Sequence, residues 1–149
     1  MATQYSVTSV ITLVANTAKT ALELPASATA GITIVGFEVM SAATAAGSLT
    51  VEWGTYTTTG TGTTYTPGKW GTGQGVAANT GTIKVNHTVE PAGFAVGSNP
   101  VWLIPLPGMY SVLYPFGREP FIPASTLRAI RLTGTQAVAH RVTVVFEVG

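Results

Sequence analysis

Two histidines, six glutamates and one glycine-rich stretch are the residues of this chain from which chemistry could be built. His87 and His140 are its only imidazoles, cysteine is missing, and aspartate does not occur. Zinc sites draw on several His, Cys or carboxylate ligands and calcium sites on clustered oxygens, so this set predicts no metal centre. A serine hydrolase joins Ser, His and a carboxylate, and no G-x-S-x-G elbow is present. Glu23, Glu38, Glu52, Glu90, Glu119 and Glu147 offer the raw material for the facing carboxylates of a glycosidase, but their spacing singles out no two of them. We read most of them as solvated strand positions and both histidines as structural. Glycines in the Thr57–Gly75 stretch mimic a phosphate loop, yet Gly68-Lys69 runs into Trp70 instead of Ser or Thr, which removes P-loop chemistry. Asn86-His87-Thr88 fits a glycosylation sequon, discounted because it falls mid-strand in a chain without a secretion signal. These residues predict no enzyme and no cofactor.

Charge narrows the partners. Only 9% of the residues are Asp, Glu, Lys or Arg and the net charge is +1, against roughly a quarter charged in an ordinary soluble domain. Neutralising several phosphates takes clustered cations. Lys19, Lys69, Lys84 and Arg118 are scattered, while Arg128, Arg131 and Arg141 lie close in sequence and read as solvated strand positions or local pairs with Glu147. No nucleic-acid partner is expected. Nor is a membrane one, since no apolar run approaches the ~20 residues of a span. A hydrophobic fraction of 46% then has to serve a core and an interface together. Near-neutral charge favours association.

The elements that would position any site are strands. Tyr5 to Val14, Ile32 to Met40, Ser48 to Tyr56, Thr82 to Val89, Val101 to Leu106, Tyr110 to Phe116, Leu127 to Leu132 and Val138 to Val148 are β-branched or alternating, with Gly, Pro and Asn between them. Eight or nine such strands predict a single-domain, all-β antiparallel sandwich, and the long connections favour a jelly roll of two four-stranded sheets. Residues 1–6 are expected as an amino-terminal arm. Residues 57–79 are expected as a long Gly/Thr-rich loop with Trp70 as its large apolar anchor.

Aromatic residues suggest a competing use. Trp53, Trp70 and Trp102, with Tyr56, Tyr65 and Tyr110, would suit a sugar-stacking platform on a sandwich face. Alternation places Trp53 and Trp102 in the core instead. More distinctive is Tyr114-Pro-Phe-Gly-Arg-Glu-Pro-Phe121, where Pro115, Pro120 and Pro123 fix the backbone and Gly117 permits a sharp bend. Rigid loops carrying aromatics around a guanidinium are typical interface anchors. The alternative is an internal corner in which Arg118 bonds carbonyls of its own chain.

These segments resemble the head decoration, or cement, proteins of tailed bacteriophages. The likeness spans most of the chain. It rests on the opening M-A-T-x-Y, on Thr61-Gly-Thr-Thr-Tyr-Thr-Pro67, on Glu90-Pro91, on Tyr114-Pro-Phe-Gly-Arg-Glu-Pro120 and on the closing Val145-Phe-Glu147. The Y-P-x-G-R-E-P block is its specific element. The Val101–Pro107 segment is more apolar than the family pattern, and Gly71–Gly75 richer in glycine. The resemblance implies a non-enzymatic β-sandwich on the outside of an assembled icosahedral shell, made in the host cytoplasm. It further implies a homotrimer over three-fold positions, with the major capsid protein and further copies of itself as partners. Expected contacts are Ala2, Thr3, Gln4 and Tyr5 of the arm, Trp70, and Tyr114, Phe116, Arg118, Glu119 and Phe121 of the proline loop. A carbohydrate-binding or receptor-binding module, such as a fibre domain, is the alternative.

Overall fold

A computed structural model of the chain describes residues 3–69, 78–97, 99 and 101–149, and these form strands and loops without a helix. In chain order the strands are β1 (Gln4–Thr12), β2 (Lys19–Glu23), β3 (Ile32–Ser41), β4 (Gly47–Thr55), β5 (Thr61–Thr64) and β6 (Gly68–Lys69). They continue as β7 (Lys84–Val89), β8 (Val101–Leu106), β9 (Met109–Leu113), β10 (Phe121–Ile122), β11 (Arg128–Gly134) and β12 (Ala139–Val148).

Two antiparallel sheets stack face to face. The first runs β10-β3-β12-β1-β6, with β9 also paired to β3, and the second runs β5-β7-β2-β11-β4-β8. Eight of the strands trace a jelly roll. The chain steps between sheets from β1 to β2 to β3 to β4, then from β8 to β9, and from β11 to β12. Each returning strand pairs with an outgoing one: β12 with β1 and β3, β11 with β2 and β4, β9 with β3, β8 with β4. The two expected four-stranded sheets are therefore present, widened by the short strands β5, β6, β7 and β10.

Period-two alternation decides what lies inside. Val7, Ile34, Phe37, Val39, Leu49, Val51, Trp53, Ile130, Leu132, Val142, Val144 and Phe146 point between the sheets and are buried. Each such side chain contributes about 1.5–3 kcal/mol on leaving water. Phe37 anchors an aromatic cluster at one flank, edge-on to Trp53 with ring centroids 5.5 Å apart and stacked on Trp102 at 5.3 Å. Tyr110 leans on Trp102 at 6.1 Å and closes the gap between β8 and β9.

Three details differ from the sequence expectation. Gln4, Tyr5 and Ser6 do not form an arm; β1 begins at Gln4 and is held between β12 and β6. The hydrogen-bonded ladder on both sides outweighs the freedom of a chain end. The long loop is interrupted, because Thr61–Thr64 pairs with β7 and Gly68–Lys69 with β1, while Trp70 lies outside the described residues. Finally, β2 carries no legible alternation because Thr20 through Glu23 are all buried. A bulge between Ile130 and Arg131 shifts its register on β11, and loops cover its outer face.

Candidate functional site

The outer face of the first sheet is a grid fixed by register. Directly opposed residues on neighbouring antiparallel strands share a face. The pairings give four rows across β1, β12, β3 and its outer neighbour: Val10–Arg141–Met40–Met109, Thr8–Thr143–Glu38–Ser111, Ser6–Val145–Gly36–Leu113 and Gln4–Glu147–Thr33–Phe121. The bulge at Val145/Phe146 against β3 keeps Thr33 on the same face as Gly36. Polar residues fill the middle and apolar ones collect toward β9 and β10.

The last row brings together elements far apart in sequence. Gln4 donates from its amide to Glu147 Oε1 at 2.9 Å, and Phe121 stands three strands away, roughly 14 Å at ~4.8 Å per strand. Gln4 and Phe121, from the two segments expected to make contacts, thus lie in one row at one end of one sheet face. Their side chains do not all face outward. Tyr5 turns to the interior and stacks on Phe146 with centroids 5.7 Å apart. Tyr114 is half-buried against the core with no hydroxyl partner among the described residues, and burial, then the neighbouring Tyr110, raises that phenol above its ordinary range. Thr3 is exposed and Glu119 half-buried. Ala2 and Trp70 fall outside the described residues.

The proline loop itself is a tight turn. Arg118 N–H donates to Pro115 O at 2.9 Å, and Gly117 sits at φ 82°, a conformation that glycine adopts without strain. Phe116, at the tip, is 100% exposed, and Phe121 spreads over Gly31 while remaining 57% exposed. Arg118 is exposed, and its guanidinium has no partner among the described residues. Among the described residues this guanidinium bonds no carbonyl of its own chain, as the internal-corner alternative would require. Beside the loop, Gly36 leaves a groove of about 210 Å³ between Leu113 and Val145. A Cβ there would approach Leu113 Cδ2 to 2.9 Å.

On the second sheet lies a site that sequence reasoning missed. Glu23 points to the outer face, opposite Ala129 and Lys84, yet is fully buried. The segments around Thr55–Gly60 and Ala92–Ala95 pair with each other and fold over it. Its Oε1 accepts from Gly60 N–H at 2.7 Å and meets His87 Nε2 at 3.0 Å. Its Oε2 accepts from the Tyr56 hydroxyl at 3.0 Å and the Thr59 hydroxyl at 2.6 Å. Burial pushes this carboxyl up, but the four donors together outweigh it and hold the pKa at about 2. Burial, then the Glu23 charge, drives the Tyr56 phenol well above its ordinary range. Every oxygen lone-pair direction is spent on the fold, so the group is a clamp and offers no free acid or base. Five residues from three separate segments build it, and no local motif announces that.

The remaining candidates disperse. Arg131 donates to Glu52 from Nε and Nη2 at 3.1–3.2 Å, and its guanidinium lies 4.1 Å above the Phe94 ring. Arg128 donates to Asn99, and Arg141 to Met40 Sδ at 2.8 Å on the other sheet. No common cationic patch results. Trp53 and Tyr56 are buried and Trp102 and Tyr110 pack into the flank, so these rings form no open stacking platform. Among the described residues no three His, Asp or Glu gather to hold a metal. No helix among them is long and apolar enough to cross a membrane. Comparison with protein families, curated proteins and solved structures finds no match to this chain.

Proposed function

We propose that this chain is a non-enzymatic decoration protein that binds the outside of an assembled phage capsid, as a trimer over three-fold positions, and stiffens the shell. One observation carries the reading: a fully exposed Phe116 and an Arg118 without a partner among the described residues sit on a turn braced by Pro115 and Pro120. Aromatic and Arg anchors on rigid supports are what dominate binding energy at protein interfaces, because little entropy is lost when they dock. The Glu23 carboxylate is engaged by Tyr56, Thr59, Gly60 and His87, and Arg131 is engaged by Glu52. The Y-P-F-G-R-E-P block that resembles the decoration family is this same turn. Three such turns on one trimer bind at high effective concentration, so modest single contacts suffice.

Co-sedimentation with expanded shells that lack the protein tests this. The wild-type chain should saturate the shells, and Phe116→Ser with Arg118→Ala should reduce binding at least tenfold without changing the fold. Saturable binding to a glycan array, with no association with shells, would replace this reading by the carbohydrate one.

A further inference from the structure

We infer that the groove over Gly36, on the outer face of the first sheet, is a docking site for a lysine side chain of a protein partner. This deepens the reading above and rests on it for the partner's identity, which is then the shell protein.

Charge without a partner picks out the place. Four of the six glutamates are engaged within the chain: Glu23 by its clamp, Glu52 by Arg131, Glu90 by the Thr20 N–H at 2.8 Å and Glu147 by Gln4. Glu38 and Glu119 accept no hydrogen bond and form no ion pair among the described residues. Of these two, Glu38 stands beside a hollow. It lines the groove of about 210 Å³ together with Gly36, Leu113, Val145, Ser111 and Thr143, and the register puts all of them on one face of one sheet. Across the four rows of that face, Glu38 and Glu147 stand against Arg141 alone. Arg141, in the row beside Glu38, donates instead to Met40 Sδ at 2.8 Å. The face therefore carries an excess of negative charge, which favours a cationic guest.

Shape decides which cation. Leu113 and Val145 stand on the two strands that flank β3 and form the walls, while the β3 backbone at Gly36 is the floor. A Cβ at Gly36 would come within 2.9 Å of Leu113 Cδ2 and 4.0 Å of Val145 Cβ, so a side chain there closes the groove. Glu38 follows two residues along the same face, roughly 6.7 Å on. A guest must be slim and apolar over that length and charged at its end. The four-carbon stem and compact ammonium of lysine have this form. The stem lies over Gly36 between the walls, and the ammonium reaches the Glu38 carboxylate beside the Ser111 and Thr143 hydroxyls. Burial of the stem adds to the modest energy of an ion pair open to water. A bare metal ion is a poorer guest, because one carboxylate and two hydroxyls supply too few hard ligands. Position assigns the donor. Leu113 is the last residue of β9, so one wall runs directly into the Phe116–Arg118 turn, and Phe121 lies in the adjacent row. A partner held by that turn is within reach of the groove.

Nuclear magnetic resonance titration of the isotope-labelled full chain with a blocked pentapeptide carrying a central lysine tests the inference. The same peptide with norleucine in place of lysine is the control. The lysine peptide should shift the Gly36, Glu38 and Leu113 amides saturably and bind about fivefold more tightly than the control, as an ion pair open to water allows. Glu38→Gln should abolish that preference with the strand circular dichroism signal retained, and Gly36→Ala, which closes the groove, should weaken both peptides. Equal binding of the two peptides, an unchanged preference in Glu38→Gln, or no saturable shift overturns the inference. Co-sedimentation with shells separates it from the decoration reading. Glu38→Gln should bind them about tenfold more weakly than wild type, because the loss counts at each of three linked copies. Shells that bind Glu38→Gln as well as wild type overturn the inference and leave the decoration reading standing. A chain that selects the lysine peptide but ignores shells upholds the lysine site and sinks the decoration reading.

Discussion

The Glu23 carboxylate and the His87 imidazole face each other at 3.0 Å with neither side chain reaching solvent. A buried pair of this kind is expensive to form and more expensive to break, because the surviving partner has no water to turn to. Here the acid also holds Tyr56, Thr59 and Gly60. It therefore fixes the crossing of the second sheet's outer face by the segment after β4.

Glu23→Ala leaves four donors without an acceptor. The expected cost is about 3–5 kcal/mol, or roughly 10 °C in melting temperature for a chain of this length. Thermal unfolding followed by circular dichroism checks it. A loss under 2 °C would mean that the network is slack.

Acid should release the same clamp. The folded carboxyl titrates at about 2 against an ordinary 4.5, so its contribution is complete above pH 4.5 and disappears as the pH falls toward 2. Linkage makes that worth about 3 kcal/mol. Urea titrations between pH 5 and 2 should show the decline, and Glu23→Gln, which cannot titrate, should flatten its share of it.

His140 works in the opposite sense. It is buried, neither ring nitrogen has a partner among the described residues, and burial lowers its pKa below 6.5. The neutral ring is stable above pH 6.5. Below that, the unfolded chain takes up a proton that the folded one refuses, and stability falls. His140→Leu removes both the unpaired nitrogens and the titration. It should be at least as stable as wild type at pH 7 and more stable at pH 5. Equal losses in both proteins between those values would show that other groups set the slope.

Gly60 is held to its identity by backbone. A Cβ there would lie 2.3 Å from Val89 O and 2.8 Å from Pro91 N, neither of which can swing aside. Gly60→Ala should cost more than 2 kcal/mol in denaturant unfolding, whereas Gly117→Ala, with nothing near its Cβ, pays only for its positive φ.

Arg118→Ala should leave stability within ~0.5 kcal/mol of wild type, as exposed side chains without partners do. Differential scanning calorimetry beside the shell-binding assay separates the two roles. A matching loss of stability and binding would place Arg118 in the fold.

Much of this architecture was legible because alternation is a physical record of burial. β3, β4, β11 and β12 alternate buried with less buried residues over most of their length, so their strands and core faces could be read from Ile32, Val51, Leu132 and Val144 outward. β2 could not be read, since both its faces are covered and its polar residues Thr20 and Glu23 are buried along with Ala21 and Leu22. The turn that carries Phe116 was legible because the nearby prolines and Gly117 dictate it without help from the rest of the chain. Glu23 could not be singled out among the six glutamates: its burial depends on Tyr56, Thr59, Gly60 and His87 arriving from distant segments. Arg128, Arg131 and Arg141, close in sequence, were parted by the step from β11 in one sheet to β12 in the other.

Electron cryomicroscopy of shells incubated with the purified chain tests the central claim most directly. The account predicts added density on the outside of the shell at three-fold positions, three sandwiches to each, with the Phe116–Arg118 turns in contact with the shell. Bare shells under a saturating excess of well-folded protein would contradict it.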